Sequence, residues 1–344
     1  MARVPVKWGI LGTSMISATM AKAIRESSIS ELYAVGSRSL KTAMDFAHTH
    51  NIPRHYSCHQ DVLDDPEVDV VYIGLPNHLH KEWIVRCAAS GKHILCEKPF
   101  VTRIDDARTA LAAVQTHGVF CMEALMYRCH PLINKLKEVV SSHVLGKITL
   151  FNAVYMADIV DLANPVEGGA ILNLGCYPVS LIRLLAGSAQ GKSMAEPLEI
   201  TSLGRVSTTR NDNQGSLLMK FENDMLAMVT AADDISMCAR FEIIGTKGSL
   251  RLISNPWLPD RTENSFIIHH YQNGETVKIN VTAERSLYTY QIDAVSRHVL
   301  DGADQCMSMS RQDTLGNMMV LDTWRQQIAR GTQPADNQIM ERIA

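Results

Sequence analysis

From residue 1 to about 125, short apolar blocks alternate with amphipathic stretches. Val6 to Leu11, Leu32 to Val35, Val68 to Ile73, His93 to Cys96 and Val119 to Met122 are compact apolar runs bounded by turn or polar residues, a pattern that predicts buried strands. Between them, Ile16 to Glu26, Leu40 to His50, His80 to Ala89 and Ile104 to Gln115 carry apolar residues at helical spacing. Strand and helix in strict alternation predict a parallel sheet covered on both faces.

After Pro131 the pattern changes. A helical segment, Leu132 to Val140, precedes a strand-like stretch, Ile148 to Met156, and a long apolar helix from about Ala170 to Leu185. Seven alternating runs follow: Leu198 to Ser207, Gly215 to Glu222, Met225 to Ala232, Arg240 to Ile244, Ser249 to Ile253, Phe266 to His270 and Thr276 to Val281. Alternation with turn residues between runs predicts a largely antiparallel sheet with helices on one face. Helices near Tyr288 to Leu300 and Ser310 to Ile328 close the chain. The expected architecture is α/β plus α+β: a doubly wound nucleotide-binding domain over residues 1–125, then an α+β domain over 126–344 for substrate and oligomer contacts, its last helices free to pack back on the first domain.

Composition narrows the partners. At 344 residues, the chain is long enough for two cores, and a net charge of -3 with interspersed signs offers no basic field for nucleic acid or for a membrane surface. Apolar stretches such as "VDVVYIGL" fall short of the roughly 18 to 20 residues that cross a bilayer. The N-terminus enters a strand without a signal-peptide pattern, and cytoplasmic residence is the expectation. The eight cysteines form no C-x-x-C pair and most sit in apolar segments, so neither a metal site nor a disulfide framework is expected.

The first βα turn, "GILGTSMIS", follows a strand and opens a helix, the setting in which Gly12 gives a tight turn and Thr13, Ser14, Met15 and Ile16 bring backbone N–H groups to a pyrophosphate. Ser14 and Ser17 stand where the dinucleotide fingerprint has its second and third glycines. The second strand ends in "AVGSRSL": Ser37 and Arg38 replace the acid that meets a free ribose 2′-hydroxyl, and a hydroxyl plus a guanidinium suits a 2′-phosphate, so NADP(H) is expected over NAD(H). A solvated loop arginine is the alternative. Two more strand ends point to the same crevice edge, "LPNHLH" with Leu75, Pro76, Asn77 and His80, and "EKPF" with Glu97 and Lys98. In "GGAILNLGCYPV", Asn173 and Tyr177 stand four apart in an apolar run, sharing one face of a helix.

These motifs, with "SRSLKTAMDFA" and "MEALMYRCHP", occur in an order and spacing that resemble the Gfo/Idh/MocA oxidoreductases, and the similarity spans essentially the whole chain. Tyrosine at position 177, where other members have histidine, resembles the branch containing dimeric dihydrodiol dehydrogenase and glucose-fructose oxidoreductase. The resemblance implies that Lys98 lies beside the reacting carbon and the nicotinamide ribose, that Pro99 fixes it, and that Tyr177 exchanges a proton with the substrate hydroxyl. Hydride transfer from a secondary alcohol needs loss of the hydroxyl proton, and the reverse reaction needs a stabilised alkoxide, which a phenol and an ammonium supply. Asn173 matches an acidic position, and the amide removes a charge while keeping an acceptor. Arg128 and Tyr290 match positions near the nicotinamide; packing roles are the alternative for Tyr290 and for neighbouring His130.

The implied function is NADP(H)-dependent hydride transfer to or from a secondary alcohol or ketone of a sugar, cyclitol or dihydrodiol-like compound. The alternative is a catalytically weak or inactive NADP(H)-binding regulator, for which Asn173 is the argument. The resemblance further implies a homodimer or homotetramer built on the second domain's uncovered sheet face. Substrate selection is expected in the loops Met156 to Pro165, with Asp158 and Asp161, and Trp257 to Arg261.

Overall fold

The computed structural model of the chain describes residues 5–161, 168–207 and 211–331. It divides into two compact units, one drawn from Met1–Asn134, Leu258–Glu263 and Val281–Met318, the other from Lys135–Trp257, Asn264–Asn280 and Met319–Ala344.

The first unit holds strands β1 (Val6–Leu11), β2 (Ser30–Gly36), β3 (Arg54–Tyr56), β4 (Val70–Ile73), β5 (His93–Glu97) and β6 (Cys121–Ala124). They form one parallel sheet in the order β3-β2-β1-β4-β5-β6. Helices α1 (Met15–Glu26), α2 (Leu40–His50), α3 (His59–Asp64), α4 (His80–Ala89) and α5 (Ile104–His117) connect them. All four side chains of β4 are buried, as expected for a strand covered on both faces. From β1 the chain builds outward to β2 and β3, then returns to add β4 on the other side of β1. That reversal opens a crevice at the carboxyl ends of the strands, where such sheets take ligands.

Two elements escape the hydrophobic pattern. β3 is three residues long, and its Arg54 and His55 are exposed, so it carries no apolar signal. α3 spans six residues, too few for helical periodicity to register. β6 also starts later than the apolar run suggests and continues through Glu123, a buried acid within a strand.

α6 (Pro131–Ser141) starts in the first unit and from Lys135 belongs to the second, where it leads into β7 (Ile148–Met156); after α7 (Cys176–Ala189) come β8 (Glu199–Val206), β9 (Asp212–Lys220), β10 (Leu226–Ala232), β11 (Cys238–Gly245), β12 (Gly248–Leu252), β13 (Asn264–His270) and β14 (Thr276–Val281), whose last residue falls in the first unit. Their order is β14-β13-β12-β11-β7-β10-β9-β8, with β7 and β10 parallel and antiparallel pairing at β8–β9, β9–β10, β7–β11, β11–β12 and β12–β13. α7 packs on β7 and β10. The run Ile171–Ala189 is apolar and long enough to cross a bilayer, but it is wholly buried, the signature of a core helix. On β9 and β10, Leu217, Met219, Ala227 and Val229 point inward, whereas Leu218, Leu226 and Met228 on the opposite face are exposed.

Of the closing helices, α8 (Leu287–Leu300) belongs to the first unit, where the Trp8 indole N–H donates to Ser296 Oγ at 3.1 Å. α9 (Arg311–Gly331) contributes its residues up to Met318 to the first unit and the rest to the second.

One expectation is corrected in detail. The helix bearing Asn173 begins with a π-helical segment, Ile171–Gly175, and turns α-helical only at Cys176. Gly175 lies against the Trp324 ring, where a Cβ would stand 2.9 Å from Cζ3, so the backbone comes close to the indole. π segments inside helices are frequent at functional sites.

Candidate functional site

In the first unit, the loops after β1, β2, β4 and β5 are tied together by short contacts. Gly12 adopts φ +95°, open to glycine, and its N–H donates to Gly36 O at 3.0 Å, joining the β1 turn to the end of β2. A Cβ on Gly12 would lie 2.9 Å from Gly74 O, the backbone that follows β4. Ser14 caps α1, accepting the Ser17 N–H at 3.3 Å, with the two hydroxyls 3.0 Å apart. A Cβ on Gly74 would meet Ser17 Oγ at 2.7 Å. The close helix–strand approach that the fingerprint's third glycine usually provides is therefore supplied from the strand side, by Gly74 against buried Ser17.

At the end of β2, Ser37 is buried and its N–H donates to Tyr56 O at 3.1 Å, while Arg38 is exposed. No acidic residue stands between Gly36 and Leu40. Nearby His59 titrates lower than an ordinary histidine, through burial and then through the Arg38 charge.

Leu75, Pro76 and Asn77 are half-buried and lead through a 3-10 turn, Asn77–Leu79, to His80, which is fully buried. The His80 ring bridges two strand ends, with Nε2 2.8 Å from Leu75 O and Nδ1 2.9 Å from Pro99 O. Burial lowers its pKa, against the opposing pull of those carbonyls. The Lys98–Pro99 peptide is cis. Glu97 accepts the Tyr72 hydroxyl at 2.7 Å and the Lys98 N–H at 3.2 Å. Burial raises the Glu97 pKa and the adjacent Lys98 charge lowers it, with a net rise. Gly12, Ser14, Ser37, Leu75, His80, Glu97 and Lys98 thus lie on adjoining loops at one edge of the parallel sheet.

Arg128 and Tyr290, also in the first unit, have partners of their own. The buried Arg128 guanidinium pairs with buried Asp313. The Tyr290 hydroxyl accepts the Glu284 N–H at 2.9 Å, and its ring stands edge-on to His130 at 5.5 Å. The packing alternative for Tyr290 and His130 therefore has a visible partner for each.

In the second unit, Asn173 and Tyr177 are both buried, 8% and 5% exposed. The Asn173 N–H donates to Gly169 O at 3.0 Å, and the Tyr177 ring lies edge-on to Tyr155 at 5.3 Å. Tyr155 also touches Trp257, at 5.7 Å. The start of this helix is held by Asp212, which accepts the Ile171 N–H at 2.6 Å and lies against Gly169, a residue at φ +115° with no room for a Cβ. Burial pushes the Asp212 carboxyl up to about 6. Asp158 and Asp161 are exposed, and the rest of their loop, from residue 162, lies outside the described residues.

Sequence reasoning passed over Asp212 and Glu123. Glu123 is an acid among apolar neighbours in "VFCMEAL", a signal of its own because a buried acid needs a partner to offset desolvation, whereas Asp212 sits among polar residues in "NDNQ" and carries no such signal.

Residues 6–125 match a family profile described as oxidoreductase family, NAD-binding Rossmann fold, and residues 133–251 match the Gfo/Idh/MocA C-terminal domain. The chain is 26% identical over 333 residues to trans-1,2-dihydrobenzene-1,2-diol dehydrogenase of Xenopus tropicalis, covering 94% of this chain and 98% of that protein. To the human enzyme of the same name it is 28% identical over 260 residues, 74% of this chain and 76% of that one. A 3-ketoreductase from Actinomadura kijaniata, solved with NADP and TDP-benzene, superposes with a TM-score of 0.84 at 24% identity, over 94% of this chain and 98% of that chain. That likeness speaks for the fold.

Proposed function

Because the chain belongs to the Gfo/Idh/MocA oxidoreductase family, we propose that it transfers hydride between NADP(H) and a secondary alcohol or ketone on a cyclic diol, sugar or cyclitol. The observation that carries this reading is the Lys98 segment at the carboxyl end of β5, held by Glu97 and by His80 beside the Gly12 turn. The names of the relatives add the substrate class: a vicinal diol on a six-membered ring.

The residues fit the cofactor. The Gly12 turn leaves no room for a side chain, and the first turn of α1, from Ser14 to Ile16, presents backbone N–H groups suited to a pyrophosphate. Ser37 and Arg38, with no acid between Gly36 and Leu40, favour a 2′-phosphate and hence NADP(H) over NAD(H). Leu75, Pro76, Asn77 and His80 line the next loop. When bound, the nicotinamide would supply or accept the hydride.

The chain's own residues handle charge and proton. Lys98 stabilises the oxygen anion that develops on the substrate. Tyr177 takes the hydroxyl proton during oxidation and returns it during reduction. Asn173 orients substrate hydroxyls by donating and accepting hydrogen bonds without adding charge.

The uncovered sheet face of the second unit supports a homodimer or homotetramer. Leu203, Leu218 and Met228 lie exposed on β8, β9 and β10, with Leu218 directly opposite Met228, and a neighbouring subunit would cover them.

The test is NADP+ reduction at 340 nm with trans-1,2-dihydrobenzene-1,2-diol and a panel of aldoses, polyols and inositols, with NAD+ in parallel. Turnover with NADP+ on a ring-borne secondary alcohol supports the reading. Tight NADPH binding without turnover across the panel replaces it with the regulator, which the Asn173 substitution favours.

A further inference from the structure

Glu123 stands at the inner end of β6 with no solvent exposure. Its Oε1 accepts the Phe100 N–H at 3.0 Å. Phe100 lies two residues beyond Lys98, on the far side of Pro99. The segment after β5 is thus tied by side chains at three successive points: Glu97 at the Lys98 N–H, His80 at the Pro99 carbonyl and Glu123 at the Phe100 N–H. Glu97 and His80 belong to the loops already described; Glu123 comes from the neighbouring strand, beneath them.

A carboxylate buried in a strand carries a desolvation penalty that an amide or an apolar residue would avoid. One hydrogen bond to a backbone N–H does not require a charge, yet a charged acceptor makes that bond roughly twice as strong. We propose that Glu123 is a positioning residue for Lys98, clamping the backbone after Pro99 through the Phe100 N–H so that the ammonium is held at one place on the sheet edge. This rests on the reading of Lys98 as the oxyanion-stabilising group.

The surroundings make the clamp sensitive to pH. Burial pushes the Glu123 carboxyl up to about 7; the Phe100 N–H, the Thr314 hydroxyl and Arg128 favour its charged form, and Asp313 opposes it. Arg128 is itself paired with Asp313, so its charge is largely spent. From β5, Cys96 is kept a neutral thiol by burial, and on β6 Cys121 is pushed up to about 12, with Arg311 pulling the other way. On the tied segment itself, burial raises Glu97 and lowers His80, and Glu123, pushed up to about 7, changes charge near neutrality. Two consequences have opposite sign. The clamp tightens as Glu123 ionises, so turnover rises through about pH 7. The native pKa is raised, so folding stability falls between the ordinary glutamate range and pH 7.

The experiment compares wild type, Glu123→Gln and Glu123→Leu in the full chain. Amide exchange at Phe100, corrected for intrinsic rate, is read at pH 6 and 8, and kcat is read from pH 5.5 to 9 with trans-1,2-dihydrobenzene-1,2-diol and NADP+. In wild type, Phe100 protection should be several-fold higher at pH 8 than at pH 6. Glu123→Gln should keep an acceptor, hold protection constant across that range, and lose the kcat rise near pH 7. Glu123→Leu should lower Phe100 protection and kcat by about tenfold or more, the loss of one hydrogen bond to a charged acceptor, with the NADPH Kd within about threefold of wild type. Persistence of the pH-7 rise in Glu123→Gln overturns the proposal, as does pH-independent Phe100 protection in wild type. The glutamine variant decides the matter even if the leucine variant does not fold. Lys98→Met run alongside separates the two ideas: if it turns over normally, the reading of Lys98 fails; if it is inactive while both Glu123 variants match wild type, only the clamp fails.

Discussion

The Gly12 turn gives the sharpest structural prediction. Replacing Gly12 by Ala places a Cβ at φ +95°, 2.9 Å from Gly74 O and 3.2 Å from Leu75 Cδ2. Positive φ costs an L-residue about 1–2 kcal/mol. The contact adds about 1–3 kcal/mol of overpacking, since a backbone oxygen has no rotamer to yield. Restricting the unfolded chain returns about 0.4–1 kcal/mol. The net loss is about 1–5 kcal/mol, a fall of about 2–20 °C in the unfolding midpoint at about 2–4 °C per kcal/mol. Gly118→Ala is the control, because Gly118 has φ +63° and no atom within 4 Å of its Cβ, so it carries the conformational term alone. Differential scanning fluorimetry with and without NADPH measures both. Gly12→Ala should lose more than Gly118→Ala, and its stabilisation by NADPH should shrink as well. If the two variants melt together and respond equally to NADPH, the close approach of the two loops is not what the Gly12 turn provides.

Three other predictions address separate parts of the account. Arg38→Ala should weaken NADP+ binding by about 10- to 100-fold, the worth of a charge-assisted hydrogen bond, and leave NAD+ within about threefold, as read by fluorescence titration. Asp212 has a folded-state pKa pushed up to about 6 from an ordinary 3.8, so its contribution to stability is fullest below pH 4 and is lost as pH rises toward 6. Asp212→Asn keeps an acceptor for the Ile171 N–H and should flatten that part of the stability–pH curve in urea melts at pH 4 and pH 6.5; an unchanged slope means the carboxylate is not the titrating group. Leu218→Lys, on the uncovered sheet face, should reduce the light-scattering mass to that of a 38.1 kDa monomer, and an unaltered assembly would place the subunit contact elsewhere.

Much of the fold is written in the hydrophobic pattern because the buried strands are compact apolar blocks. β1 and β7 match their apolar runs residue for residue. β3 does not, because a short edge strand with exposed Arg54 and His55 is held by pairing to β2 rather than by burial. The π-helical start of the Tyr177 helix was also hidden. It arises where Asp212, a residue from β9, meets Ile171 and where Trp324 meets Gly175, and both are tertiary contacts with no local sequence signature. In the cofactor turn, Ser14 and Ser17 look like defects in a glycine fingerprint; the structure turns Ser14 into a helix cap and moves the needed glycine to position 74. Glu123 was visible as a charge in an apolar run, but its partner, the Phe100 N–H, comes from the adjacent strand's loop and could not be read from spacing.

The central claim is hydride transfer with Tyr177 as the proton-exchanging group, and Tyr177→Phe tests it most directly. Phenylalanine keeps the edge-on contact with Tyr155 and removes only the hydroxyl. With NADP+ and a substrate from the panel, kcat should fall at least about a hundredfold while NADPH binding holds within about threefold, as for loss of a general acid–base group. Turnover equal to wild type would contradict the account.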